Sequence, residues 1–314
     1  MNKILECVPN ISEGRDLSVI NSIVDSVKAV SGCKVLHVDS GYDANRTVIT
    51  FAGNPEAVLE GAFRLIKKSV ELIDMNKQKG KHPRLGAVDV CPLIPVSGLS
   101  LEDCVEYSKT LAKRVSKEIF LPVYLYEHSA SGEDRRNLAD IRRGEYEGLS
   151  RKREDPKWLP DYGSEFYHPS AGAVVIGARK FLIAFNFNLS TSDVLIAKKI
   201  AAKLRESGGG LKSLKAIGWY MEEFSCAQVS CNFTDFEQTG LFEAFELCSE
   251  LAKKNGVEVT GSELVGLIPD KAVEDAAKKF AAKDSHTQTS SAEFLSQKLN
   301  IEGGLTGRIL EKNL

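Results

Sequence analysis

The first half of the chain alternates short apolar runs with longer amphipathic stretches. Four runs have the length and β-branched content of strands: residues 3–9, 35–39, 46–52 and 87–95. Two stretches repeat their apolar side chains every three to four positions, as helices do: residues 17–30 and 56–73. Asn54 before Pro55 is typical of a helix start. The predicted order is β-α-β-β-α-β, that of a ferredoxin-like sheet with helices on one face.

The second half repeats this pattern without repeating the residues. A capped helix at 100–119, a strand at 122–126 and a polar, basic connection at 129–172 precede it. Residues 173–188 are expected to open the second half. Its predicted elements are a strand at 181–187, a helix at 192–205, strands at 216–221 and 227–233, a helix at 241–254, a strand at 257–267 and a closing helix at 270–283.

The pattern therefore predicts an α/β (α+β) protein with two ferredoxin-like lobes. We expect an N-terminal lobe over residues 1–177, which includes the connection, and a C-terminal lobe over 178–314 with a short polar tail. A cleft between two such lobes is where a small-molecule ligand is expected.

Composition narrows the possible partners. Lys and Arg number 41 against 43 Asp and Glu, so a net charge of −2 offers no broad field for nucleic acid or anionic membrane. No apolar run approaches the length of about 18 residues that spans a bilayer, and a cytoplasmic location is expected. The seven cysteines form no metal-ligand pair, so reduced thiols and no metal are expected. Gly208-Gly209-Gly210 follows a predicted helix instead of preceding one, which argues against a nucleotide loop.

His82 is the leading candidate for chemistry. Pro83 biases it toward an extended backbone, outside any helix. Imidazole has a pKa near neutrality, as a general acid/base requires, and Lys79, Lys81 and Arg84 would lower that pKa and attract an anionic substrate. The alternative is a solvated basic loop with an incidental histidine.

Other candidates follow from position. Asp39 and Arg46 lie at strand ends of the same lobe, where Asp39 would orient the imidazole or stabilise a positive reacting centre. A structural role is an equally good explanation of Asp39: as a hairpin-loop residue, its carboxylate would accept hydrogen bonds from nearby N–H groups. His168 stands in a glycine-bounded loop with aromatic side chains and amide donors, suited to covering a planar heterocycle. The alternative for that loop is a linker turn.

Four runs together resemble the glutamate formimidoyltransferase family: ECVPNISEGR at 6–15, NRTV at 45–48, HPRLGAVDVCP at 82–92 and GARKFLIAFN at 177–186. Ile11 and Leu85 stand where relatives often have Phe and Met, and both changes exchange one apolar residue for another. The resemblance spans nearly the whole chain.

The resemblance implies transfer of the formimino group from N-formimino-L-glutamate to N5 of tetrahydrofolate, in histidine degradation. His82 matches the catalytic histidine, and Arg46, Arg84 and Lys81 would meet substrate carboxylates. Tetrahydrofolate, also in polyglutamyl form, is then a co-substrate, with no metal or nucleotide. The implied folate contacts are Gly163, Ser164, Glu165, Phe166, Tyr167, His168, Pro169, Ser170, Ala171, Gly172, Gly209, Gly210 and Leu211.

The family also implies a homodimer. Larger animal relatives carry a fused cyclodeaminase, whose step is not expected in a chain of 314 residues. Two alternatives stay open: formyl transfer between 5-formyltetrahydrofolate and glutamate on the same fold, which these motifs do not separate from formimino transfer, and a folate-binding protein without turnover.

Overall fold

A computed structural model describes residues 3–164, 168–284 and 292–314 of the chain. The chain divides into two compact units, Met1–Lys180 and Phe181–Leu314. Each unit combines one β-sheet with helices, so the predicted α+β class with two lobes is confirmed.

The first unit is built on a seven-stranded sheet. Its strands are β1 Ile4–Cys7, β2 Asn10–Ile11, β3 Cys33–Gly41, β4 Arg46–Gly53, β5 Val88–Ser97, β6 Val123–Leu125 and β7 Val174–Ala178. β4 pairs with β3 on one side and with both β1 and β2 on the other, and β5 joins the far side of β1 and β2. Pro9 divides the predicted first strand, since proline has no N–H to give to a sheet.

The helices of the first unit are α1 Leu17–Lys28, α2 Pro55–Leu72, α3 Leu101–Ile119, and the short α4 Leu138–Ile141 and α5 Leu149–Lys152. The three long helices begin at polar caps that the sequence encodes. The Asp16 and Asn54 side chains accept backbone N–H groups of α1 and α2. Ser100 and Asp103 form a capping box at α3, as the sequence predicts.

The two faces of this sheet differ. The inner face packs its apolar side chains, among them Ile49 and Phe51, against α1, α2 and α3. On the opposite face, which we call the outer face, Val90, Tyr124 and Val175 form a separate cluster with residues of the 129–172 connection, including Ile141 and Leu149. The connection is therefore a cover over part of the outer face.

One expectation was wrong at the start of the second half. Val174–Ala178, predicted to open that half, is β7 of the first sheet, where it lies in parallel between β5 and β6. Its run of apolar residues is buried throughout, as is typical of a strand inside a parallel arrangement. The second unit begins its sheet only at Ile183.

The second unit has a four-stranded antiparallel sheet in the order β11-β8-β10-β9. Its strands are β8 Ile183–Leu189, β9 Leu214–Met221, β10 Cys226–Phe233 and β11 Val259–Val265. Its helices are α6 Val194–Leu204, α7 Leu241–Lys254, α8 Asp270–Lys283, α9 Ala292–Lys298 and α10 Leu310–Asn313. In both units the first strand of the β-α-β-β-α-β order lies between the third and the fourth.

Within the described ranges, no helix is long and apolar enough to cross a membrane. Among the same residues, no three His, Cys, Asp or Glu side chains converge in a way that would hold a metal ion.

Candidate active site

The loop that carries His82 is held by hydrogen bonds to two turns of the first unit. The Gln78 amide donates to Glu13 Oε2 at 2.6 Å, which ties the loop to the turn before α1. The Asn45 amide donates to Gln78 Oε1 and to the Lys79 carbonyl, the latter at 3.1 Å, which ties it to the turn between β3 and β4. His82 is therefore presented by a fixed loop.

Two glycines allow these segments to meet. A Cβ at Gly80 would lie 2.1 Å from the Ala44 carbonyl oxygen. A Cβ at Gly14 would lie 2.4 Å from the Gly41 carbonyl oxygen. Neither contact can be relieved by a side-chain movement, because the opposing atom is backbone. The turn before α1 and the histidine loop thus each approach the turn between β3 and β4 through main-chain contacts.

The partly buried His82 ring uses Nδ1 for contacts inside the protein. Nδ1 lies 2.7 Å from the Pro83 carbonyl oxygen and 3.0 Å from Nη1 of Arg46. The Pro83 carbonyl only accepts and the Arg46 guanidinium only donates, so the neutral ring serves Pro83 with its hydrogen on Nδ1 and serves Arg46 with its hydrogen on Nε2. In the first of these tautomers Nε2 holds the lone pair and is the atom that would accept a proton.

Arg46 belongs to a buried charge cluster centred on Asp89, whose side chain is 1% exposed. Nη1 of Arg46 donates to Asp89 Oδ2 at 2.7 Å, and the Arg142 guanidinium donates to both Asp89 oxygens, through Nε at 3.1 Å. The Leu85 N–H adds a bond to Oδ1 at 3.0 Å. Asn10 accepts from Arg46 Nε at 2.9 Å. Two guanidinium groups thus face one carboxylate beside the imidazole.

This cluster shifts the proton affinity of its members. Burial, and then the charges of Arg46 and Arg142, lower the pKa of His82 well below its usual value, with Asp89 acting in the opposite direction. Burial alone would raise the pKa of Asp89, but the charges of Arg142 and Arg46 bring it down to about 2. Burial lowers the pKa of Arg46 to about 10, with Asp89 opposing. Around pH 7 the imidazole is therefore neutral and the cluster ionised.

Asp39 lies on the same face of the sheet as this cluster. It is opposite Val48 in β4, and Val48 is opposite Asn10 in β2. Directly opposed residues point to the same side, so Asp39 shares the outer face with Asn10 and Arg46. The carboxylate that contacts Arg46, however, is Asp89.

Arg84 is engaged in a different ion-pair network. Its Nη1 lies 2.7 Å from Glu145, its Nη2 lies 2.6 Å from Glu147, and Nη2 also donates to the Gln78 carbonyl at 3.1 Å. Burial disfavours the charge, but the two glutamates outweigh it and raise the pKa of Arg84. Arg84 thereby joins the histidine loop to the turn at 145–147.

The 163–172 loop lies beside the strand that follows His82. Ala87 N–H donates to the Ala171 carbonyl at 2.9 Å, and Gly86 forms a bridge with Gly172. The loop is closed by His168, whose Nδ1 accepts the Ala171 N–H at 2.9 Å. The Asn76 side-chain amide donates to the Pro169 carbonyl, and the Met75 N–H donates to the Ser170 carbonyl. Gly163 has a positive φ. The Ser164 carbonyl accepts from the Arg153 guanidinium. Glu165, Phe166 and Tyr167 lie outside the described residues.

Gly209, Gly210 and Leu211 belong to the second unit, at the end of α6. Gly209 has φ +80°, and a Cβ at this position would meet no atom within 4 Å. A Cβ at Gly210 would lie 2.3 Å from the Leu204 carbonyl oxygen. Leu211 N–H donates to the same carbonyl at 2.9 Å. The two glycines allow a tight turn of the chain, with open space beside Gly209.

Comparison with known proteins assigns the chain to a family. The N-terminal subdomain model of the formiminotransferase domain matches residues 4–179, and the model named formiminotransferase domain matches residues 184–303. The chain belongs to the formiminotransferase family.

Three relatives illustrate this membership. The chain is 45% identical over 280 residues to "Glutamate formimidoyltransferase" of Streptococcus pyogenes serotype M1, covering 89% of this chain and 94% of that protein. It is 42% identical over 279 residues to the Thermoplasma acidophilum protein of the same name, covering 88% and 92%. It is 46% identical over 292 residues to "Formimidoyltransferase-cyclodeaminase" of Dictyostelium discoideum, covering 91% of this chain and 54% of that protein. It thus spans about half the length of the cyclodeaminase-containing relatives.

In this formiminotransferase chain, Arg46 was expected near His82 from the sequence, whereas Asp89, Arg142 and Asn10 were not. Asp89 offered a signal, because a carboxylate within the apolar run 87–95 must be buried and therefore paired. Arg142 offered none, since it lies in a connection with many arginines and its approach to Asp89 depends on tertiary structure. Asn10 was not a candidate from the sequence, although it pairs within β2 and accepts from Arg46.

Proposed function

We propose that this protein is a glutamate formimidoyltransferase, which moves the formimino group of N-formimino-L-glutamate to N5 of tetrahydrofolate and releases L-glutamate. The observation that carries the proposal is a neutral, oriented His82 imidazole in a chain of this family. The names of the relatives from Streptococcus and Thermoplasma support the choice of substrates.

In the first step N5 attacks the formimino carbon. A bond forms between N5 and that carbon, and the proton of N5 passes to Nε2 of His82. The hydrogen bond from Nδ1 to Pro83 keeps the accepting nitrogen in place. The low pKa of the ring keeps it unprotonated before the attack, so that it is ready to act as a base.

In the second step the bond between the formimino carbon and the glutamate nitrogen breaks. The proton held by His82 passes to that nitrogen, which leaves as the amine of L-glutamate. Arg46 and Arg142 disfavour the imidazolium, so the protonated ring is a strong acid at this point. One group thus serves both half-reactions. Holding the two substrates side by side adds proximity to this proton transfer.

The remaining assignments follow from placement and family. Asp39, on the same outer face, would stabilise the positive charge of the formimino group. Arg46 would position His82, and Arg84 would hold the loop. Residues 163–172 and Gly209–Leu211 would contact tetrahydrofolate. We further infer action in histidine degradation, in the cytoplasm and as a homodimer; light scattering that gives a monomer mass would exclude the dimer.

The test is a steady-state comparison of donors. Purified protein with tetrahydrofolate is given N-formimino-L-glutamate or N-formyl-L-glutamate, and formation of the N5-substituted folate and of glutamate is followed. Turnover of the formimino donor is expected. Turnover of the formyl donor alone would favour formyl transfer, and binding of tetrahydrofolate with no turnover of either donor would indicate a binding protein.

A further inference from the structure

The arginines first expected to bind substrate carboxylates are occupied by carboxylates of the protein. Arg46 pairs with Asp89, and Arg84 pairs with Glu145 and Glu147. Recruiting Arg84 would leave Glu145 and Glu147 without their cation, and recruiting Arg46 would leave Asp89 with Arg142 alone, each at a cost in free energy. A dianionic glutamyl substrate therefore needs another cationic group near His82.

Arg179 meets this need. It lies in the run GARKFLIAFN directly after β7, and its backbone N–H donates to the Leu93 carbonyl at 3.1 Å. Its Nη1 donates to the Lys180 carbonyl at 2.9 Å. Among residues 3–164, 168–284 and 292–314, no carboxylate forms an ion pair with the partly buried Arg179 guanidinium. The N–H groups of such a guanidinium can donate two parallel hydrogen bonds to the two oxygens of one carboxylate.

Tyr126 places a hydroxyl beside this guanidinium. The Tyr126 ring lies over Gly177 on the sheet, where a Cβ would be 2.7 Å from the ring. Burial raises the pKa of Tyr126, while the adjacent charges of Arg179 and Arg142 act against the rise. The hydroxyl therefore stays protonated at neutral pH, next to Arg179 and towards the His82 cluster. A guanidinium and a neutral hydroxyl can each donate a hydrogen bond to a carboxylate, as an anion site requires.

The spacing suits a short substrate. Asp89, beside His82, and Leu93, beside Arg179, are four residues apart in β5, about 13 Å at the usual rise of a strand. The long Arg179 side chain can reach from one end of this distance, and the Arg46 and His82 side chains can reach from the other, so the gap between their polar groups is shorter than the distance along the strand. The formimino carbon and the farther carboxylate of the donor are separated by about five bonds, roughly 6 Å.

We propose that Arg179, assisted by the Tyr126 hydroxyl, binds a carboxylate of the formimino donor and so positions its formimino carbon at His82. This inference rests on the proposed function for the identity of the donor. The site itself is a carboxylate receptor on the outer face of the first sheet.

The test compares Arg179→Gln with a matched control, Arg143→Gln, an exposed arginine paired with Asp140 on a surface helix turn. Two measurements are made on the intact protein: the KM values for N-formimino-L-glutamate and tetrahydrofolate, and the affinity for L-glutamate by calorimetry. Arg179→Gln is expected to raise the KM for N-formimino-L-glutamate by about 10- to 100-fold and to weaken the affinity for L-glutamate by the same factor. The physical reason is that it removes a charged hydrogen-bond pair. The KM for tetrahydrofolate is expected to stay within about two-fold, and Arg143→Gln to match wild type in all three.

Two further variants define the site. Arg179→Lys keeps the positive charge but cannot make a bidentate hydrogen bond, so a glutamate affinity between those of wild type and Arg179→Gln is expected. This variant also tests the site if Arg179→Gln does not fold. Tyr126→Phe is expected to weaken glutamate binding by about 5- to 10-fold through loss of one hydrogen bond. Circular dichroism checks that each variant is folded.

The outcomes separate this proposal from the proposed function. Equal glutamate affinity in wild type and Arg179→Gln, or no glutamate binding by wild type, overturns the carboxylate site. A rise in the KM for tetrahydrofolate in place of the donor KM also overturns it, because Arg179 would then bind the folate. If wild type fails to turn over the donor but binds glutamate through Arg179, the proposed function fails and the site stands.

Discussion

The four strands of the β-α-β-β-α-β pattern have the same order in both sheets, but the sheet faces opposite the helices differ in chemistry. In the first unit that face carries a buried ionic cluster, with Asp89 between Arg46 and Arg142. In the second unit, the face opposite α6 and α7 carries mainly neutral amides. Gln228 donates to Asn188 at 2.9 Å and to Glu263 at 3.0 Å, and it accepts from Trp219 at 2.7 Å.

The difference shows that topology alone does not decide where proton transfer can occur. Amides have fixed hydrogen-bonding roles and do not titrate between pH 5 and 9. Guanidinium and carboxylate groups change the free energy of protonating a neighbouring imidazole. The first unit can therefore tune His82, while the corresponding face of the second unit combines Glu263 with amides that do not titrate.

The largest effect is expected from Asp89→Asn. The change leaves two buried guanidinium groups without their carboxylate, and breaking such a pair costs about 3–5 kcal/mol. Urea unfolding followed by circular dichroism measures the loss. Asp25→Asn, which removes an exposed pair with Lys28, is the control and should cost less than about 1 kcal/mol. An Asp89 variant as stable as its control would show that the cluster contributes little to folding.

His82→Ala comes next. Loss of the general base and acid is expected to lower kcat by about 100-fold or more, with little change in tetrahydrofolate affinity. Steady-state kinetics and a folate-binding titration measure the two quantities. His128→Ala, at an exposed histidine, should retain wild-type kinetics. An equal loss of folate binding would move His82 to a binding role, and full activity would place the chemistry elsewhere.

Much of the fold was predictable because its signals are local. The caps at Asn54 and Ser100 and the helix at 241–254 depend on short-range hydrogen bonds and periodicity, and the structure has them where expected. β7 was assigned to the second half because an apolar run in the sequence does not indicate which sheet the strand joins. That choice depends on contacts formed across more than 80 residues, between β5 and β7.

The candidate site was predictable only in part, for a similar reason. His82 has a local signature in its proline and basic neighbours. The partner of Arg46 was not visible, because Asp39 and Asp89 both lie in strands and only the tertiary structure brings Asp89 to Arg46. The engagement of Arg84 by Glu145 and Glu147 is equally non-local, since 61 and 63 residues separate the partners.

Arg142→Gln tests how the cluster tunes His82. Arg142 lowers the pKa of the imidazole, so its removal should raise that pKa. A base works when it is unprotonated, so kcat/KM falls as the pH drops through the pKa of His82. The acid limb of the profile should therefore move to higher pH in the variant, with small changes above pH 8.

Arg143→Gln is again the matched control, because its charge lies on the surface beside Asp140. Its acid limb should coincide with that of wild type. An NMR titration of the His82 ring gives the same pKa without turnover. An unchanged or lower pKa in Arg142→Gln would mean that the Arg142 charge does not lower the pKa of His82, and the contrast between the two faces would lose part of its functional meaning.

The smallest effect is expected from Glu263→Gln in the second unit. Glu263 Oε2 accepts from Asn186 at 2.9 Å and from Gln228 at 3.0 Å, and a glutamine oxygen can accept both. Replacing charged with neutral bonds should cost about 1 kcal/mol in urea unfolding and leave the pH profile of kcat/KM unchanged. A shifted acid limb would show that this face also influences His82, and the distinction between the arginine–carboxylate cluster of the first unit and the amide-rich face of the second would then fail.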